Sequence, residues 1–242
     1  MNIIVLLAGS SADFTEKGHA YPKYLLEIDN KPIVQRVIES LKCLDNVSLN
    51  FLIRKEDSEK FYLGNTIKIL APNANIIEIE NTTKGAACTA LYAIDQIDND
   101  DELLVINGDI LIKSELKEPI ELFRANNYDG GILTFNSVHP RWSYVLLDEN
   151  SLVIQTSEKR PISNNATVGC YYYKKGSDFV KACMQVIEKD VQTQGLYYIS
   201  STYNELILEQ KKVGTFEIPR KNYISFANYQ MYEHFLAQRK EA

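Results

Sequence analysis

Residues 2–11 read NIIVLLAGSS, an apolar run that stops at a glycine followed by two serines. An alternating run would leave one face polar. The unbroken stretch from Ile3 to Leu7 suits a strand covered on both faces, as in a parallel sheet layered by helices. It is too short for a signal peptide or a membrane span. The stop at Gly9, Ser10 and Ser11 places a turn at the carboxyl edge of that sheet, where unpaired backbone N–H groups can hold anions. The segment matches neither GxxxxGK[ST] nor GxGxxG. Short glycine turns also join strands to helices with no ligand involved, so the loop alone leaves both readings open.

Outward from this stretch the periods alternate. Pro32 opens IVQRVIESLKCL, whose apolar positions recur at helical spacing with proline in the first turn. A second strand falls at Leu49–Ile53, a helix within EDSEKFYLGNTIKIL and a third strand in ANIIEIE. GAACTALYAIDQI has helical spacing, and a fourth strand runs from Glu102 to Ile106 into Asn107-Gly108-Asp109. This β-α alternation predicts a mostly parallel sheet with right-handed crossovers. The second half differs. GGILTFNSV, SYVLLDENSLVIQTSEK and ATVGCYYYKK are β-rich, with turn signals at Asp148-Glu149-Asn150 and Ser163-Asn164-Asn165. Helices at GSDFVKACMQVIEKDV and ISSTYNELILEQKKV, a strand at KVGTFEIP and a closing helix at NYQMYEHFLAQRK complete the pattern. With 242 residues and neither repeats nor linkers, one domain is expected over 1–242.

Composition narrows the partners. Hydrophobic residues make up 45%, enough for a full core, and the net charge of −6 argues against a general nucleic-acid binder. The four cysteines form no CxxC pair, which points to reduced core thiols and a cytoplasmic protein. His19, His139 and His234 are too scattered for a metal site.

Three clusters carry possible chemistry. Lys23 follows Pro22, whose fixed φ stiffens the segment; it either projects a charge toward a phosphate or is a solvated surface lysine. Asp109 ends the strand ELLVIN through Gly108, which puts its carboxylate at the same sheet edge as the serine loop. A carboxylate beside phosphates is what Mg²⁺ requires, although Gly-Asp is also an ordinary turn. Glu158, Lys159 and Arg160 form a charged cluster between two β-rich runs, and Gly169 interrupts the second as glycine does where a ligand or backbone approaches. An exposed hairpin end is the other reading there. Tyr171, Tyr172 and Tyr173 alternate faces and cannot all line one site.

With these residues in place the chain resembles the sugar nucleotidyltransferases, or nucleotide-sugar pyrophosphorylases. LLAGSS…PKYLLEIDNKPIVQRVIESL is similar to the family's opening LAAGxGTR…PKxLLxIxxKPxI, and TTKGAACTAL to its base-binding PxGxAxA segment. INGDI is similar to its metal-aspartate motif, and SEKRPISNNATVGCYYY to its EKP…xxGxY sugar-phosphate segment. HPRWSYVLLDEN and YISSTYNELI resemble a branch tied to capsule biosynthesis and often grouped loosely with family-2 glycosyltransferases. The resemblance implies an α/β fold of Rossmann-like type: a mixed, mostly parallel sheet with helices on both faces and a β-rich elaboration in the second half. Residues 1–112 would form the nucleotide half and 113–242 the phosphorylated-substrate half.

The resemblance also implies roles. The backbone of Leu7, Ala8 and Gly9 would meet the nucleotide, with Gly85 near its base; Ser10, Ser11, Thr83, Asn107 and Gly108 fall in the same nucleotide-binding segments. Lys23 would stabilise the triphosphate and the transition state, and Asp109 would hold Mg²⁺. Glu158 and Lys159 would meet the incoming phosphorylated substrate, Gly169 would allow its approach, and Asn204 joins that set. The implied partners are an NTP or an NDP-sugar and a phosphorylated small molecule, with no nucleic acid, no membrane span and room for a homodimer. Two departures stand out. The family's loop arginine falls at Asp13, where a carboxylate repels phosphates unless it turns away, leaving Lys17 or Arg54 to help Lys23. The family's second metal aspartate falls near Ser225 or Asn228, neither of them acidic. Three functions stay open: nucleotidyl transfer, glycosyl transfer from an NDP-sugar, and non-catalytic nucleotide binding.

Overall fold

In the computed structural model, which describes residues 1–240, the opening run becomes β1 (Asn2–Leu7), central in a nine-stranded sheet. Its residues alternate between two cores: Ile3, Val5 and Leu7 lie in one cluster, Ile4 and Leu6 in the other. That two-sided burial is why the run contains no polar interruption. The serine loop continues into a short helix, α1 (Ala12–Glu16). A small hairpin of β2 (Glu27–Ile28) and β3 (Lys31–Pro32) leads to α2 (Ile33–Leu41). The first half then runs through β4 (Ser48–Arg54), α3 (Lys55–Phe61), α4 (Leu63–Leu70), β5 (Asn75–Ile79), α5 (Ala86–Ala90), α6 (Ile94–Ile97) and β6 (Leu103–Asn107). Here β1 pairs in parallel with β4 and β6, and β4 with β5.

The second half contains β7 (Ile110–Ile112), α7 (Lys117–Ala125), β8 (Gly130–Asn136), β9 (Ser143–Leu147), β10 (Val153–Glu158) and β11 (Asn165–Tyr173). After these come α8 (Gly176–Glu188), α9 (Ile199–Leu208), β12 (Val213–Glu217), β13 (Tyr223–Ser225) and α10 (Tyr229–Lys240). The sheet order is β10-β9-β11-β6-β1-β4-β5, with β8 paired to β11 and β12 to β8. The antiparallel β11–β6 pair joins the two halves in one sheet. As the strand period requires, Tyr171 and Tyr173 enter one core and Tyr172 the other.

Several elements have no counterpart in the periodic reading. Residues 55–70 are two helices, broken at Tyr62, which adopts a left-handed φ of 55°. Helix α7 and the antiparallel ribbon β7–β13 are likewise additional. That ribbon carries residues 223–225 back beside Asp109 and so completes one side of the site.

Candidate active site

The site lies at the carboxyl ends of β1 and β6. Pro22 starts a single 3-10 turn, Lys23–Leu25, that brings Lys23 inward. The Ser11 hydroxyl accepts the Lys23 backbone N–H at 3.1 Å. Lys23 is only 3% exposed, which excludes the solvated-lysine reading. Its Nζ donates to Asp109 Oδ2 at 2.7 Å and to the Ala227 carbonyl at 3.4 Å. Burial alone would lower the Lys23 pKa; the Asp109 carboxylate outweighs it and holds the ammonium well above its ordinary value. The adjacent Tyr24 hydroxyl receives the Gly9 N–H at 2.9 Å, and a side chain at Gly9 would crowd both Tyr24 Oη and Lys23 Nζ. The loop, the lysine and the aspartate therefore form one contiguous unit, as their sheet-edge placement required.

Asp13 is engaged by the start of α10. Its Oδ2 accepts the Tyr229 N–H at 2.7 Å, at the start of α10, and the Asn228 side chain accepts the Met231 N–H at 3.0 Å. Both are caps on otherwise unpaired helix donors, and Asp13 adds negative charge at the positive end of the dipole. Phe14, Tyr229, Tyr232 and His19 pack edge to face around this junction. Asn228 serves as a cap and the Ser225 hydroxyl accepts the Ala227 N–H at 3.3 Å, so of the positions expected to hold a metal only Asp109 carries a carboxylate. No group of three or more His, Cys, Asp or Glu suited to an ion occurs among the described residues. One carboxylate fits an Mg²⁺ shared with substrate phosphates, not a caged resident ion.

Beside the loop, a cavity of about 200 Å³ is lined by Ala8, Arg54, Glu80, Asn81, Thr82 and Thr83, among others. Arg54, one of the two cations expected to help Lys23, thus lines this cavity together with Asn81, which nothing in the sequence singled out. No structural contact of Lys17 ties it to the site. Thr83 bonds to Thr89 at 2.6 Å and to the Gly85 carbonyl at 3.2 Å, ordering the turn. Gly85 has φ +113°, and a Cβ there would overlap the backbone of Tyr197. Gly108 leaves room for the Leu7 side chain, which is itself in the core. Ser10 accepts the Ala12 N–H at 3.1 Å, closing the turn into α1.

In the second half, Glu158 ends β10 and accepts hydrogen bonds from the hydroxyls of Ser143 and Ser200. Burial pushes its pKa up, against the pull of those donors. Lys159 adopts φ 54°, reaches Gln194 and lies over the Tyr198 ring at 5.5 Å. Two expected substrate contacts receive a different explanation. Both ends of the Asn204 amide bond to the Thr156 backbone, at 2.8 and 3.1 Å, so this side chain ties α9 to β10. The space a Cβ would take at Gly169 is filled by the Asn107 amide, 2.5 Å away, so the close approach there is by Asn107. Ser143, Ser200 and Tyr24 were not legible as site residues; Tyr24 had only its place next to Lys23 as a signal.

A glycine-serine loop at a parallel sheet edge, with a buried lysine against an aspartate, defines a nucleotide-binding α/β transferase site. The chain belongs to the nucleotidyl transferase family, whose model matches residues 3–217. It is 29% identical over 217 residues to the bifunctional protein GlmU of Methanocaldococcus jannaschii, covering 88% of this chain and 48% of that protein. It is 24% identical over 178 residues to the low-salt glycan biosynthesis nucleotidyltransferase Agl11 of Haloferax volcanii, covering 72% of this chain and 49% of that protein. The chain thus spans about half the length of these curated relatives. The fold matches the crystal structure of a nucleoside-diphosphate-sugar pyrophosphorylase from Vibrio cholerae with a TM-score of 0.85, at 24% identity over 98% of this chain and 100% of that one. A UDP-glucose pyrophosphorylase complexed with UDP-glucose matches at 0.73, with 16% identity over 100% of this chain and 99% of that one.

Proposed function

We propose that this chain transfers a nucleoside monophosphate from an NTP to a phosphorylated sugar or polyol. An oxygen of the acceptor phosphate attacks the α-phosphorus, the bond between the α-phosphorus and the bridging oxygen breaks, and pyrophosphate leaves. The observation that carries this reading is the buried Lys23–Asp109 pair at 2.7 Å, set against Gly9 at the carboxyl edge of β1. A phosphate nucleophile is already ionised, so positioning and charge neutralisation do most of the work. The Lys23 ammonium has three N–H donors, so it can offer one to a phosphate while another stays on Asp109, and the Ser11–Lys23 backbone bond fixes the origin of the side chain. Mg²⁺ held by Asp109 would neutralise phosphate charge during transfer.

The two halves divide the labour in this proposal: residues 1–112 take the nucleotide, through the loop and the Ala8–Arg54 cavity, and the later half takes the acceptor, through Glu158 and Lys159. An activated precursor for surface polysaccharide of the capsule type is the assigned product, supported by the branch-like motifs and by the glycan role in the name of Agl11. No helix among the described residues is long and apolar enough to cross a membrane, in keeping with a cytoplasmic enzyme acting on water-soluble substrates.

The test is pyrophosphate release with Mg²⁺, each NTP and a panel of sugar 1-phosphates and polyol phosphates. Release with at least one pair is expected. Nucleotide binding without release across the panel would favour a second, non-catalytic reading, which the aspartate at position 13 in place of the family's loop arginine supports. Hydrolysis of an NDP-sugar with tight NDP binding would instead favour glycosyl transfer.

A further inference from the structure

A cavity of about 1140 Å³ forms a groove between α10, the β7–β13 ribbon and the loop from β8 to β9. It meets the candidate active site at two points. Ser225 lines it, and the next residue, Phe226, donates its N–H to the Asp109 carbonyl at 2.7 Å. Trp142 also lines it, and its carbonyl accepts the Lys159 N–H at 3.0 Å. From Ser225, β13 leads outward at about 3.3 Å per residue, so the far end lies roughly 10 Å or more away.

The groove is rich in cations. Lys113, Arg220 and Lys221 line it together with Arg141 beside Trp142, against one acid, Glu233, in a chain whose net charge is −6. Most lysines and arginines elsewhere in the fold lie against a carboxylate, as Lys31, Arg36, Lys60 and Arg124 do. None of the four groove cations has one within ion-pair distance among the described residues. Arg220 is held in place: it donates to the Tyr223 carbonyl at 2.7 Å and lies over the Phe135 and Tyr223 rings at 5.2 and 5.6 Å. An arginine fixed by stacking and a backbone bond, with its fork free of carboxylates, is preorganised for an anion.

We propose that this groove binds the far end of an acceptor carrying a second anionic group, in the manner of a sugar or polyol bisphosphate. The phosphate that attacks would sit beside Asp109 and Glu158, and the second anion would be held by Arg220 and Lys221. The groove exceeds the roughly 300–1,000 Å³ of most small-ligand sites, as an extended acceptor requires. The inference deepens the proposed transfer and rests on it for the word acceptor; the binding itself is measured without turnover.

Trp142 is the chain's one tryptophan and lines the groove, so its emission reports occupancy. The full chain, without nucleotide or Mg²⁺, is titrated with glucose 1-phosphate and with glucose 1,6-bisphosphate. The bisphosphate is expected to shift Trp142 emission and bind about tenfold more tightly. That advantage should collapse in the double variant Arg220→Gln/Lys221→Gln, and fall partly in Lys113→Gln, each checked for an unchanged circular dichroism spectrum. Equal affinities, an advantage that survives the double variant, or calorimetric binding with silent Trp142 emission would each overturn the proposal. Pyrophosphate release is assayed separately. Its failure with every acceptor counts against the transfer reading and leaves the groove titration interpretable.

Discussion

The two sides of the cleft follow opposite electrostatic plans. On the parallel side, Lys23 and Asp109 form a buried ion pair, and the loop is fastened to them through Tyr24 and Ser11. On the antiparallel side, Glu158 is surrounded by hydroxyls from Ser143 and Ser200, while its neighbour Lys159 reaches away to Gln194. One side has its charges fixed against each other; the other holds a carboxylate against neutral hydroxyls. In the proposed transfer, that difference separates the half that handles the invariant triphosphate from the half that reads a variable acceptor.

Breaking the fixed pair should have the largest effect. Lys23→Ala is expected to slow pyrophosphate release by roughly 10²–10³-fold. Because the lysine is buried against Asp109, it should also lower stability by about 3 kcal/mol, measured by denaturant unfolding. Unchanged turnover would remove Lys23 from the chemistry. On the opposite side, Glu158→Gln should raise the acceptor KM by about tenfold and leave the NTP KM near its original value. Equal changes in both constants would erase the division between the halves.

A smaller effect is expected at Asp13. Asp13→Ala removes a cap on α10 and should cost about 1 kcal/mol, with the NTP KM changed by less than about threefold. A large rise in that KM would show that this carboxylate meets the nucleotide after all. The smallest effect concerns Asp57, buried with its Oδ2 unpartnered; burial pushes its pKa up. A carboxyl whose folded pKa is raised holds its proton in the native state after the unfolded chain has released it, so stability falls as pH rises through that interval. Asp57→Asn should therefore raise Tm at neutral pH by about 2–4 °C, for about 1 kcal/mol relieved. The gain should vanish as pH is lowered to the ordinary carboxylate range. A gain independent of pH would assign the effect to packing.

What could be read beforehand followed from short-range rules. The unbroken run Ile3–Leu7 implied a strand covered on both faces, and Asn107-Gly108-Asp109 after an apolar strand implied a carboxylate at the sheet edge; both hold. What could not be read depends on contacts between distant segments. Ser200 approaches Glu158 across 42 positions, and Asp13 meets Tyr229 across 216. No local period records such pairs. The resemblance also pointed to Asn204 and Gly169 as ligand contacts, yet an amide bonded to a neighbouring strand and a glycine making room for Asn107 leave the same mark in a sequence. The cationic groove was invisible for the same reason, because Lys113, Arg141, Arg220 and Lys221 converge only when β13 folds back on β7.

The overlap at Gly85 has a mechanical consequence. Lys84 O accepts the Tyr197 N–H at 2.8 Å, and Tyr197 O accepts the Ala87 N–H at 3.1 Å, with Gly85 flat between them. This double stitch fastens the first half of the chain to the lead-in of α9. Replacing Gly85 by alanine would push a Cβ into the Tyr197 backbone and break both bonds, and with them that tie between the two halves.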